Sequence, residues 1–80
     1  MKSMLVKNIN GTGKRLPEGY RSWQHFWEVK TGEKAKHNVG GHVKKAYSSD
    51  NSWYIADITY TQNAKMEPYE YNGKLAKLHD

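Results

Sequence analysis

The chain has no cysteine. That excludes a disulfide framework and thiolate–zinc coordination of the kind that staples many small domains. It also has no apolar run near the roughly 20 residues needed to span a bilayer. Lys2 and Lys7 interrupt the N-terminal stretch too early for the apolar region of a secretory signal. The expected location is therefore the cytoplasm. Acidic residues are scarce: eight Asp and Glu stand against thirteen Lys and Arg, a net charge of +5. There is no internal repeat, linker or low-complexity tract, and 80 residues make one domain, read as 1–80.

Aromatic residues are plentiful, with three Trp and six Tyr. A chain of this size buries only about 60% of its unfolded surface, so large rings must supply much of the core. Each buries roughly 150–250 Å², at roughly 25 cal/mol per Å² of apolar area. A few such rings can hold a fold of this size without staples. The expected core is Trp23, Phe26, Trp27, Val43, Trp53, Tyr54, Ile55, Ile58, Leu75 and Leu78.

The pattern along the chain is that of an α+β domain. Met4–Ile9 reads as a short strand, and Asn10-Gly11-Thr12-Gly13 breaks it. The two glycines do not make a phosphate loop, because neither the strand–loop–helix context nor a Lys-Ser/Thr ending is present. Ser22 is placed to cap a helix over Trp23–Thr31, and Gly32 to end it. Trp23, Phe26, Trp27 and Lys30 fall at i, i+3, i+4 and i+7, which sets a stripe of rings toward the core with Lys30 at its edge. Gly40-Gly41 permits a sharp or positive-φ backbone. His42–Tyr47 and Trp53–Ile58 read as two strands of a central hairpin, joined through Ser48-Ser49-Asp50-Asn51-Ser52. Thr59–Lys65 is predicted as a short helix. Asn72-Gly73 suits a type I′ turn, so Tyr69–Tyr71 and Lys74–Ala76 are predicted to pair as a terminal hairpin.

Three quoted stretches carry a resemblance: Tyr20-Arg21-Ser22-Trp23 through Thr31-Gly32, then Val39-Gly40-Gly41-His42-Val43, then Trp53-Tyr54-Ile55-Ala56-Asp57-Ile58. Over about Asn8–Asn63 the chain resembles small HNH-like zinc modules of bacteria and phages. In those modules a Gly-His-Val strand leads through Trp-Tyr-Ile to Cys-x-x-Cys-Asn. The resemblance implies a first cysteine pair between Lys34 and Val39, where Lys34-Ala35-Lys36-His37-Asn38 stands, and a second pair on Thr59 and Gln62. Thr and Gln are not effective zinc ligands. Asp57 stands where the family usually has proline. A degenerate, zinc-less relative follows, with Trp23, Trp27, Trp53 and Tyr54 packing in place of the ion.

The same resemblance puts His42 at the general-base position of an HNH nuclease and Asn63 at the helical metal position. Gly41 replaces the neighbouring ligand, and Asn63 alone would hold a hard cation weakly. His42 is read first as a packed strand histidine, and His37 with His42 lacks a third metal ligand. His25 carries no motif, and His79 adjoins the C-terminus. The expectation is no metal, no cofactor and no catalysis. Lys30, Lys34, Lys36, Lys44 and Lys45 surround the glycine pair and form a candidate phosphate-contacting patch. Tyr47 and Tyr60 are candidates to stack on bases or enter a protein interface. The plain alternative is a solvated face and a tyrosine core. The first reading is a small basic, non-catalytic binding module, of phage or mobile-element type, that binds and inhibits a host protein. The alternatives are a sequence-independent nucleic-acid-binding domain and a residual HNH endonuclease. The partner is an acidic protein surface or a nucleic acid, and not a membrane.

Overall fold

The structure, a computed structural model, describes residues 4–9 and 15–79, and the predicted break at 10–13 lies outside the described residues. Five strands and two helices follow in the order β1 (Met4–Asn8), α1 (Trp23–Thr31), β2 (Val39–Lys45), β3 (Trp53–Ile58), α2 (Tyr60–Asn63), β4 (Tyr69–Tyr71) and β5 (Leu75–His79). The class is α+β. All pairings are antiparallel, and the spatial order of the sheet is β4-β1-β2-β3-β5.

Helix α1 forms where its caps place it. The Ser22 hydroxyl accepts the His25 N–H at 3.0 Å, which satisfies one of the helix's first free donors. Gly32 ends the helix at φ 76°, and its N–H reaches the Glu28 carbonyl, a left-handed closure that glycine enters without steric penalty. Phe26 and Trp27 are buried against the sheet.

Strand alternation divides the apolar residues between two faces. Under α1 lie Ile55 and Ala76, with Phe26, Trp27, Trp23, Tyr20 and Leu78 packed on them. The other face joins Val6, Val43, Tyr54, Ala56, Ile58, Tyr69 and Tyr71. Several members of the predicted core are only partly covered, among them Trp23, Trp53, Leu75 and Leu78. Val6, Tyr69 and Tyr71 take their share because β1 and β4 form the wall of the second core.

The central hairpin stands as predicted, with His42 opposite Ile55 and Val43 opposite Tyr54. Its first strand is shifted, spanning Val39–Lys45 and leaving Tyr47 in the turn. Gly40 lies within this strand and does not adopt positive φ. Its missing side chain serves close approach instead. A Cβ there would meet the Trp23 carbonyl carbon at 2.6 Å, so glycine lets α1 seat directly on β2.

The predicted terminal hairpin is absent. β4 pairs with β1 and β5 with β3, so the two strands occupy opposite edges of the sheet. A type I′ turn requires φ above zero at both central residues, and neither Asn72 nor Gly73 has it. The connection is held across the fold by the Lys74 carbonyl, which accepts the Tyr71 hydroxyl at 2.6 Å and the Trp27 indole N–H at 2.8 Å. No helix among the described residues is long and apolar enough to cross a membrane.

Candidate functional site

The basic residues are distributed by strand register, which sequence proximity does not show. In β1, Val6 is buried while Leu5 and Lys7 point the other way, to solvent. The β1–β2 register sets Lys7 directly opposite Lys44. Like charges so placed on one face of a ladder repel. No carboxylate lies within ion-pair distance of either ammonium among the described residues. The Lys44 ammonium instead lies 5.9 Å from the centre of the Trp53 ring, a cation–π spacing.

Lys7 and Lys44 line a groove together with Ile9, Lys45, Ala46, Tyr47 and Pro68. Lys45 is already engaged. Its ammonium is 3.5 Å from Asp50 and 5.1 Å from the Tyr54 ring centre. Asp50 accepts the Tyr54 hydroxyl at 2.6 Å and the Ser52 N–H at 2.9 Å. The Tyr54 bond above all, then Ser52, holds its carboxyl well below the usual carboxylate range.

Tyr47 projects from the turn that follows. The Ala46 N–H still closes on the Leu5 carbonyl at 3.0 Å, and the next residue turns away with φ 55°. Tyr47 is the one non-glycine residue in the left-handed region among the described residues. Its side chain remains 86% exposed.

The remaining candidates lie elsewhere, so the predicted patch of five lysines is not one surface. Lys34 and Lys36 line a second groove together with Glu33, His37, Asp57 and Glu70, where acids balance bases. Lys74 also pairs with Glu33 at 3.2 Å. Lys30 lies 5.6 Å over the Phe26 ring at the end of α1. Tyr60 opens α2 and is exposed. Sequence reasoning found Lys44, Lys45 and Tyr47 but missed Lys7, Ile9 and Pro68. Lys7 carries a period-2 signal for an outward residue of β1, but the strand it faces depends on a register between distant segments.

His42 packs between rings, 4.5 Å from the Trp23 centroid and 6.1 Å from that of Trp53. Asn63 sits against the neighbouring position: its Oδ1 is 3.0 Å from where a Cβ on Gly41 would stand. Adjacent strand residues face opposite sides, so His42 and Asn63 do not converge. The positions where the resemblance implies a second cysteine pair form a reciprocal capping box. The Gln62 N–H donates to Thr59 Oγ1 at 3.1 Å, and the Thr59 N–H donates to Gln62 Oε1 at 3.0 Å. Where the first pair is implied, carboxylates hold the chain. Asp57 accepts the Lys36 and His37 N–H groups at 2.8 and 3.1 Å, and Glu28 accepts that of Ala35 at 2.8 Å. No group of three or more His, Asp or Glu side chains is disposed to hold an ion among the described residues. These residues do not fit a zinc site. Comparison of the chain with protein-family models, curated proteins and solved structures gives no match in any of the three.

Proposed function

We propose that this protein is a non-catalytic binding module that takes the backbone of a nucleic acid in the Lys7–Lys44 groove. The observation that carries the reading is the direct cross-strand opposition of two lysines with no carboxylate partner among the described residues. Such an opposition weakens the ladder, and a bound phosphate between the ammonium groups would reverse its sign. The apolar residues that line the same groove, Ile9, Ala46 and Pro68, suit the sugars and bases that accompany phosphate. The net charge of +5 adds a long-range attraction of the same sign. The reading is non-catalytic because the one candidate base, His42, is enclosed by two tryptophans on the face away from Asn63.

The test is fluorescence anisotropy with labelled oligonucleotides, comparing the wild type with Lys7→Glu/Lys44→Glu. Loss of binding in the double variant, with its unfolding midpoint preserved because like charges still face each other there, supports the reading. Undiminished binding would reject it.

A second reading, attachment to a protein, rests on a different observation. Tyr60, at the start of α2, and Met66, just beyond it, are 70% and 88% exposed, and large uncovered apolar side chains suit a protein interface. Nuclease-treated lysate passed over Tyr60→Ala/Met66→Ser and wild-type protein tests it. A protein retained by the wild type alone supports this reading, and identical retention rejects it.

A further inference from the structure

The groove holds one residue that the fold does not account for. Left-handed backbone penalises a side chain with a Cβ, and glycine or asparagine normally occupies it. At φ 55° Tyr47 bears that penalty, yet at 86% exposure its ring gains little from burial in return. The turn does not need tyrosine here, since its hydrogen bonds come from Ser48, which accepts the Asp50 N–H, and Asp50, which accepts that of Ser52. The ring belongs to the same groove as Lys7, Lys44, Ile9 and Pro68. A large flat ring beside two cations is the arrangement that binds unpaired bases, because every base has a face to stack while its phosphates need only charge. A duplex offers its phosphates but keeps its base faces covered.

We infer that Tyr47 is a stacking platform for an unpaired base, and that the groove takes single-stranded nucleic acid with flanking phosphates on Lys7 and Lys44. This rests on the nucleic-acid-backbone reading of the same groove and narrows it to one class of strand.

The experiment measures affinity for a ten-residue oligothymidylate, a ten-residue oligouridylate, a ten-base-pair duplex and a heparin fragment of similar charge. The wild type, Tyr47→Asn and Tyr47→Phe are compared, with Val29→Ala, at an exposed position of α1, as a control outside the groove. The expected result is that the wild type prefers both single strands to the duplex and to heparin. Tyr47→Asn should lose roughly 5- to 150-fold in single-strand affinity, a larger loss than it shows for heparin. Tyr47→Phe should keep most of the affinity, and Val29→Ala all of it. The thermal midpoint of Tyr47→Asn should hold or rise, since asparagine tolerates left-handed backbone. A falling midpoint would give Tyr47 a structural role and overturn the inference. So would equal affinity of the wild type for strand and duplex, with the nucleic-acid-backbone reading surviving only if heparin binds more weakly than both. If none of the four ligands binds, both fail together. Preference for one of the two oligonucleotides would identify the strand as DNA or RNA and supports the inference.

Discussion

At the scale of single residues, the hydroxyl of Tyr71 joins three parts of the fold. It accepts the buried N–H of Asp57 at 3.1 Å and donates to the Lys74 carbonyl, which also receives the Trp27 indole. Tyr71→Phe keeps the ring but leaves the Asp57 donor unmatched, at a cost of about 1–3 kcal/mol. Denaturant unfolding measures it: the midpoint should fall while the slope stays unchanged. Tyr69 predicts a pH effect. Burial first, and the neighbouring Tyr71 second, push its hydroxyl up to about 12, and burial likewise raises Tyr71. A folded value above the ordinary tyrosine value near 10 means the folded state holds its proton more tightly. The associated stability is full below pH 10 and is lost as pH rises toward 12. Tyr69→Phe removes a hydrogen bond to Asn8 Oδ1 at 2.7 Å and should be less stable than the wild type at pH 7. That gap should narrow between pH 10 and 12, because the variant has one phenol fewer to ionise. A gap that widens would contradict the assignment. Asp50 has the opposite sign. Its carboxyl is held low, so the stability it lends the hairpin turn is present above the ordinary carboxylate range and disappears as pH falls below it.

At the scale of elements, one glycine position and the helix caps decide the arrangement. Gly40→Ala would put a methyl group 2.6 Å from the Trp23 backbone. Overpacking of this kind costs typically about 1–3 kcal/mol, read as a lowered thermal midpoint together with loss of near-ultraviolet tryptophan dichroism. An unchanged midpoint would mean that α1 does not seat on β2 as described. Thr59→Ala removes one half of the capping box and should cost about 1 kcal/mol, seen most clearly as faster amide exchange at Gln62. Helix α1 was legible in full, since Ser22, the ring spacing and Gly32 are all local signals. The strands β2 and β3 were legible as a pair for the same reason. The terminal hairpin misled because Asn72-Gly73 is a local turn signal overruled by distant partners: Tyr69 pairs with Val6, at the far end of the chain. In the sequence Asp57 was marked only as standing where the resembled modules usually have proline. Its role, holding the Lys36 and His37 amides, depends on a contact between segments that no spacing reveals. Asp57→Ala should free that loop, with faster exchange of those two amides.

At the scale of the whole molecule, charge and fold divide the work. The sheet and α1 enclose two cores and bring Lys7, from one end of the sequence, beside Lys44 from the middle. The composition announced a basic domain, and Lys44, Lys45 and Tyr47 were visible as candidates. The split of the lysines was hidden, because Glu33 is their neighbour in sequence but Asp57 and Glu70 join Lys34 and Lys36 only once the chain is folded. Two phosphate contacts set a quantitative expectation. For a single strand the logarithm of affinity should fall against the logarithm of salt concentration with a slope of about −1.4, or about 7-fold between 50 and 200 mM. The most direct measurement of the central claim is therefore this salt slope, taken for the wild type and for Lys7→Gln/Lys44→Gln on the same oligonucleotide. Our account predicts that the wild type shows the slope and that the double variant brings it near zero with weakened binding. A slope that is the same in both proteins would contradict it.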